Sequence, residues 1–253
     1  RDRIKIDPSR VAITVFTNNS PFAGREGKHV TSTLLYERLV KESHFNVGIN
    51  VKRLSEGSFE LVGRGLLQLS ICIETMRREG YEFEVSKPTT KFITKDNKKY
   101  EPIEQLEMWF HSNANGSLTD YLMRMKGELI HSHYNEETVN HTWKIPTRSL
   151  IGFSEIFTRL TKGEGSYSQT FDGYEPFKGE LIQEEYGSMI SATSNTAMAF
   201  PMYNLKEHGD YYVTPTTELY EGMIVGRTKN GKDMSVNITR NKRLNSYKGA
   251  DHA

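Results

Sequence analysis

The order of secondary-structure signals constrains the fold more than any other feature of the chain. Residues 10–90 contain alternating stretches rich in β-branched and aromatic residues, which indicate strands, and apolar residues spaced three or four apart, which indicate helices. These signals follow the order strand, helix, strand, strand, helix, strand. This is the split βαβ, or ferredoxin-like, order. Residues 91–178 repeat the order without repeating the sequence. We therefore predict an α+β chain with two tandem ferredoxin-like domains, followed by a small β-rich C-terminal domain over residues 179–253.

Helical spacing supports this order in both domains. In the first domain a helix is predicted to end at Gly80, a favourable residue just past a helix end, and its stripe is Leu66, Leu69, Ile73 and Met76. Leu67 and Ile71 lie off that stripe, which indicates either a wide buried face or a second contact. In the second domain a capping-box-like start is predicted at Ser117 and Asp120. The stripe that follows it is Leu118, Leu122, Met125 and Leu129.

The third segment has a different pattern. Strands are predicted within 189–203, 210–220 and 222–229, with one short helix near 204–208. The pair Asn230-Gly231 predicts a type I′ hairpin before KDMSVNI.

Two glycine-rich turns raise the question of nucleotide binding. In GREGK (24–28) a phosphate loop would need glycine where Phe22 stands and Ser or Thr where His29 stands. In the turn at 63–65 a dinucleotide fingerprint would need a third glycine where Gln68 stands. Neither turn is predicted to bind a nucleotide. Arg25 and Lys28, close to a predicted helix N-terminus, stay candidates for gripping an anion such as an RNA phosphate, with a solvated loop as the alternative.

No catalytic constellation and no metal site is predicted. The histidines at 131, 133 and 141 lack companion ligands, and Cys72 is the only cysteine, which fits a reducing compartment. No apolar run approaches the length that spans a bilayer, and the first residues lack the apolar core of a signal peptide.

Basic residues are concentrated at 226–250, although the net charge of the chain is only +1. Lysine and arginine gain affinity for RNA by releasing phosphate counterions, and asparagine can hydrogen-bond unpaired bases. A solvated basic face is the alternative. The predicted RNA-contact residues are Arg227, Lys232, Arg240, Lys242, Arg243, Asn245 and Lys248.

Several longer strings resemble the BipA/TypA translational GTPases over nearly the whole chain and in family order. They are TNNSPFAGREGKHVTS, FELVGRGLLQLSICIETMRREGYEFEVSKP, IPTRSLIGF, FDGYEP, ELYEGMIVGR and KDMSVN. The resemblance implies that residues 1–9 leave a preceding β-barrel domain. It also implies that 10–90 and 91–178 correspond to the third and fifth domains of elongation factor G, and 179–253 to a truncated family-specific C-terminal domain.

The resemblance also implies a function. The family binds the ribosome in its factor site, contacting rRNA and ribosomal proteins, and its C-terminal domain reaches the tRNA acceptor end with a loop that matches residues 239–250. A cytoplasmic monomer serving stress response, translation or ribosome assembly is expected. GTP and Mg²⁺ would bind in an N-terminal domain that this chain lacks, so the chain alone should not hydrolyse GTP.

The sequence departs from the family at several positions. Leu66 and Gln68 replace an acid and a histidine, Ser154 replaces an arginine, and Tyr247 begins a segment that replaces a Met-Arg-Ala-Ser run. Three other functions are weighed against the ribosomal one. They are an unrelated RNA-binding protein, a small-molecule sensor built from paired ferredoxin-like domains, and an acylphosphatase-like enzyme. The RNA-binding rival lacks an RNP1-like aromatic run, and the enzyme lacks a suitable Arg/Asn loop.

Overall fold

The computed structural model describes residues 7–182 and 186–240. The chain divides into two compact units, Arg1–Ile182 and Gln183–Ala253. Both units combine helices with sheets whose strands pair mostly antiparallel, in keeping with the α+β prediction. No helix in the described part of the chain is both long and apolar enough to cross a bilayer.

The first unit contains two five-stranded sheets, and the first of them has the order β2-β3-β1-β4, with β5 also pairing to β1. Its elements are β1 (Val11–Thr17), α1 (Ser32–Phe45), β2 (Asn50–Ser55), β3 (Ser58–Gly63), α2 (Leu66–Arg78), β4 (Phe83–Val85) and β5 (Thr89–Thr90).

Helix α2 confirms the predicted stop at Gly80. That glycine has a φ of +93°, its amide donates to the carbonyl of Arg77 (3.0 Å), and the amide of Tyr81 donates to the carbonyl of Met76 (3.1 Å). This pair of bonds is a Schellman motif. Leu67 and Ile71 are 74% and 57% exposed, so a wide buried face is the wrong interpretation for this pair.

The second sheet has the order β10-β7-β9-β8, with β6 also pairing to β7. Read from its other edge, the first sheet is β4-β1-β3-β2, so the two sheets have the same strand order. Its elements are β6 (Ile93–Lys95), β7 (Lys98–His111), α3 (Asn115–Arg124), β8 (Glu128–Asn135), β9 (Thr138–Pro146), α4 (Phe153–Leu160) and β10 (Gly165–Pro176). Two short 3₁₀ turns, Ser112–Ala114 and Thr147–Leu150, precede the two helices.

Helix α3 is shorter than the spacing predicts. It begins at Asn115 with no side-chain cap, so the capping-box start is wrong. It ends before Lys126, whose φ is +65°, and the amide of Gly127 folds back onto the carbonyl of Leu122 (2.8 Å). Leu129 consequently lies on β8 and pairs with Trp143 of β9 instead of continuing the helical stripe.

Buried ion pairs join distant parts of the first unit. Arg10, just before β1, donates to Glu104 on β7 at 2.9 Å, and both side chains are buried. Arg148, from the IPTRSLIGF string, pairs with fully buried Glu101 on the same strand. Glu101 also accepts the amide of Lys178 (2.9 Å). Strand β7 is therefore tied to the residues before β1 and to the segment after β10.

The second unit is built on a four-stranded sheet of order β13-β15-β11-β16 and a two-stranded sheet, β12-β14. Its elements are β11 (Gly187–Ser191), β12 (Asn195–Thr196), α5 (Ala199–Asn204), a 3₁₀ turn (Lys206–His208), β13 (Gly209–Tyr211), β14 (Glu218–Leu219), β15 (Ile224–Thr228) and β16 (Met234–Val236).

Two local predictions fail in this unit. Strands β15 and β16 do not form a hairpin, because both pair with β11, antiparallel and parallel respectively. Only Gly231 of the predicted turn has a positive φ, whereas a type I′ turn needs two. The chain over 199–203 is helical, not extended, so the short helix begins earlier than predicted.

Candidate nucleic-acid interface

Arg227 is the first of the predicted RNA-contact residues and lies on β15. Its Nε donates to Oδ2 of Asp210 on the neighbouring strand β13 (3.2 Å), and its guanidinium carbon lies 4.8 Å from the ring centroid of Tyr186. The hydrogen bond to Asp210 raises the pKa of Arg227 above its ordinary value. The guanidinium therefore has two neighbours, the exposed carboxylate of Asp210, which partly offsets its positive charge, and the ring of Tyr186.

Lys232 lies in the turn between β15 and β16, whose backbone is fixed by polar side chains. Thr228 Oγ1 donates to the carbonyl of Lys232 (2.7 Å), and the amide of Lys232 donates to Asn230 Oδ1 (3.1 Å). Asp233 Oδ1 accepts the amide of Ser188 (2.7 Å). The side chain of Lys232 is exposed. A fixed turn with an exposed ammonium group suits a point contact to a phosphate.

Arg240 is exposed and ends the described part of the second unit. The residue before it is anchored, because the amide of Thr239 donates to Asn237 Oδ1 (3.1 Å) and its hydroxyl bonds that of Thr193 (2.9 Å). The remaining predicted contacts lie outside the described residues and stay predictions. They are Lys242, Arg243, Asn245 and Lys248, and Tyr247 lies there too.

The loop that holds Arg25 and Lys28 closes around a carboxylate of the chain itself. Glu82 is only 8% exposed. Its Oε1 accepts Asn18 Nδ2 (2.6 Å) and the amide of Gly24 (2.8 Å), while its Oε2 accepts the amides of Glu26 and Gly27 (both 3.0 Å). Four donors from one short loop therefore converge on one side chain.

This arrangement changes what the loop can offer an external anion. Burial raises the pKa of Glu82, but the hydrogen bonds from the Gly24 and Glu26 amides and from Asn18 outweigh it, and the pKa lies below its ordinary value. The amides of Gly24, Glu26 and Gly27 are therefore occupied by an internal anion, and an external anion would have to be bound by side chains such as those of Arg25 and Lys28, both of which are exposed. The sequence gives little signal for this role, since Glu82 alternates within YEFEV like an ordinary exposed strand residue.

The second glycine-rich turn is a packing corner. A Cβ on Gly63 would lie 2.8 Å from Cδ2 of buried Leu69, whereas one on Gly65 would meet no atom within 4 Å. Gln68 fills the space beside the turn: its Oε1 accepts the amide of Arg64 (2.8 Å), and its Nε2 donates to the carbonyl of Val47 (2.9 Å). The side chain that departs from the family pattern thus connects the start of α2 to the segment after α1.

Residues 7–182 and 186–240 contain no group of three or more His, Cys, Asp or Glu placed to hold a metal ion. His131 and His133 are exposed on β8. His141 is buried, its Nδ1 accepts Trp143 Nε1 (3.2 Å), and burial lowers its pKa. This histidine is a core residue.

Two family models match the chain, one after the other. The model described as "Elongation factor G C-terminus" matches residues 98–185, and the model described as "TypA/BipA C-terminal domain" matches residues 186–253. The change from one model to the other falls close to the division between the two compact units.

Bacterial proteins match almost the whole chain. "Large ribosomal subunit assembly factor BipA" of Bacillus subtilis is 36% identical over 98% of this chain and 41% of its own length. The protein of the same name from Synechocystis is 36% identical over 98% of this chain and 42% of its own. The chain therefore spans about two fifths of the length of these curated relatives. The crystal structure of ttk003000868 from Thermus thermophilus aligns with 70% of this chain and 42% of its own, with 12% identity and a TM-score of 0.43.

Proposed function

The chain belongs to the TypA/BipA family and carries the C-terminal region of that family, and from this premise we propose that it is the ribosome-binding part of a BipA-type translational GTPase. The observation that carries the proposal is the 36% identity to a large ribosomal subunit assembly factor over 98% of the chain. The proposed partner is the ribosome or its large subunit during assembly.

We infer that the two halves of the first unit are tandem ferredoxin-like domains of the kinds found as the third and fifth domains of elongation factor G. The shared sheet orders β2-β3-β1-β4 and β10-β7-β9-β8, each with two helices in the split βαβ sequence, support this inference. The boundaries proposed from the sequence are 10–90, 91–178 and 179–253. In this view the domains act by position: they dock beside rRNA and ribosomal proteins and present the third domain.

The third domain is proposed to contact rRNA and the tRNA acceptor region through its basic segment. Support comes from Arg227 on strand β15, from Lys232, whose backbone lies in a hydrogen-bonded turn, and from exposed Arg240 at the start of the family loop. Lys242 and Arg243 would follow on that loop. Each phosphate contact of a cation releases counterions, so binding would weaken as salt rises.

GTP binding and hydrolysis are proposed for the whole protein, not for this chain. The nucleotide and Mg²⁺ would occupy an N-terminal domain, and the nucleotide state there would set the affinity of the C-terminal domains for the ribosome. A cytoplasmic, monomeric protein with a role in assembly, translation or stress response is the setting we propose.

Co-sedimentation with purified large subunits and with 70S ribosomes tests the proposal. The chain should pellet with particles at low salt, pellet less at moderate salt, and resist competition by naked RNA. Lys242→Ala with Arg243→Ala should weaken pelleting. Lys41→Ala with Lys206→Ala removes the same charge from exposed sites elsewhere and is the control. If the chain stays in the supernatant with both particles at every salt concentration, this part of the protein does not carry ribosome binding.

A further inference from the structure

A second basic element lies in the first unit, in the stretch that connects the two sheets. Residues 87–99 contain five lysines against one aspartate. Strands β6 and β7 form a hairpin here, with Thr94 opposite Lys99 and Lys95 opposite Lys98. The two turn residues, Asp96 and Asn97, have φ values of +51° and +56°, as a type I′ turn requires.

The two lysines at the tip have no stabilising side-chain partner among the described residues. Lys95 and Lys98 are exposed and face each other directly across the hairpin, where like charges are destabilising. Neither forms an ion pair with any described residue. Lys91, by contrast, pairs with Glu60 at 2.7 Å. The two ammonium groups therefore have no ion-pair partner within the described part of the molecule, and with Asp96 counted the tip keeps a formal charge of +1.

The base of the hairpin is firmly anchored. Nζ of Lys99 lies 3.8 Å and 4.2 Å from the ring centroids of Phe92 and Phe177, which meet edge to face at 5.5 Å. The amide of Phe177 donates to the carbonyl of Lys99 (3.0 Å). The guanidinium of Arg148, itself bonded to buried Glu101, lies 4.6 Å from the ring of Phe177. The tip thus projects from a fixed support, which reduces the entropy lost on binding.

We propose that the tip of the β6–β7 hairpin binds the phosphate backbone of RNA through Lys95 and Lys98. This inference rests on the proposed ribosomal function. It adds an RNA contact in the first unit, whereas the basic segment at 226–250 belongs to the second unit. The chemistry indicates backbone and not base recognition, because the tip carries two ammonium groups and no aromatic side chain that could stack on a base.

The test compares Lys95→Ala/Lys98→Ala with the control Lys41→Ala/Lys206→Ala, which removes two exposed lysines elsewhere. Both leave the Asp96-Asn97 turn intact. Binding of a short fluorescent oligouridylate is followed by anisotropy over a range of salt concentrations, beside co-sedimentation with ribosomes. The loss of two phosphate contacts to a single strand should reduce the magnitude of the slope of log K against log salt by about 1.4. At ~0.1 M salt this corresponds to an affinity about 25-fold lower. The control should keep the original slope.

Each outcome separates this inference from the proposed function. If the unmutated chain pellets with ribosomes but the hairpin variant behaves like the control in both assays, the hairpin inference is wrong and the ribosomal proposal stands. If the unmutated chain does not pellet, the ribosomal proposal fails, and the oligouridylate slope alone decides the hairpin. Co-sedimentation with phosphatidylserine-containing vesicles is run beside these two assays. If the variant loses vesicle binding and keeps RNA binding, the hairpin contacts a membrane surface and our inference is overturned.

Discussion

Replacing Glu82 by Gln should open the loop at 18–28. The carboxylate accepts four donors, two on each oxygen. Glutamine keeps one acceptor oxygen, and its NH₂ group would confront either the amides of Glu26 and Gly27 or the donors on the other side. Two charge-assisted hydrogen bonds are therefore lost at roughly 1.5 kcal/mol each, which gives a loss of about 3 kcal/mol in the stability of the closed loop.

Hydrogen exchange of the 18–28 peptide measures this loss directly. A reduction of about 3 kcal/mol in the free energy of local opening lowers protection by about a hundredfold. Glu84→Gln, an exposed residue on β4 two positions away, is the matched control and should change stability by less than about 0.5 kcal/mol. Equal protection in the two variants would refute the role assigned to Glu82.

The pH dependence of the same loop supplies an independent check. The pKa of Glu82 is depressed in the folded state, so its contribution is present above the ordinary glutamate pKa of about 4.3 and is lost as the pH falls through the folded value. Protection of the wild-type loop should fall in acid, while the Glu82→Gln loop should show a flat profile. A wild-type profile that is equally flat would contradict the assignment.

Two further predictions concern the first unit. Gly63→Ala should lower the free energy of unfolding by about 1–2 kcal/mol because its Cβ would enter the space of Leu69, whereas Gly65→Ala should leave it nearly unchanged. Urea unfolding compares the two variants, and equal midpoints would contradict the role of Gly63 as a packing corner. Burial lowers the pKa of His141, so the unfolded chain binds the extra proton and stability should decline as pH falls below about 6.5. Urea unfolding followed by tryptophan fluorescence measures the free energy of unfolding at each pH, and this free energy should fall less in acid for His141→Asn than for the wild type. An identical fall in both proteins would show that His141 is not its source.

Local patterns predicted several elements closely. Strands β3 (58–63) and β9 (138–146) coincide with the stretches SFELVG and TVNHTWKIP, in which apolar and polar residues alternate between turn residues, a pattern that predicts strands. Helix α4 likewise follows its local pattern, because Phe153 and Phe157, spaced four apart, are both buried. The glycine after α2 ends that helix as predicted. In each case the signal lies within a few residues of the structure that it predicts.

The residues proposed to contact RNA stand out in the sequence only as a concentration of positive charge. Sequence alone singled out Arg227, Lys232 and Arg240 because cations recur there, but it could not tell that Asp210 shares the charge of Arg227 or that Lys232 lies on a fixed turn. The lysines of the hairpin at 93–100 give no such signal in the sequence, because two of them come face to face only when strands β6 and β7 pair.

The sequence by itself determined which segments are strands and helices wherever the pattern of apolar residues is local, and it identified the family through long ordered strings. Tertiary structure decided where distant groups meet. Leu129 continues a helical spacing, yet it pairs with Trp143 because the chain turns at Lys126 and Gly127. Glu82 lies in an alternating stretch like a surface residue, yet its carboxylate is buried and accepts hydrogen bonds from a loop more than fifty residues earlier in the chain. The spacing of residues along the chain does not predict such long-range contacts, because burial and strand pairing depend on how the sheets assemble.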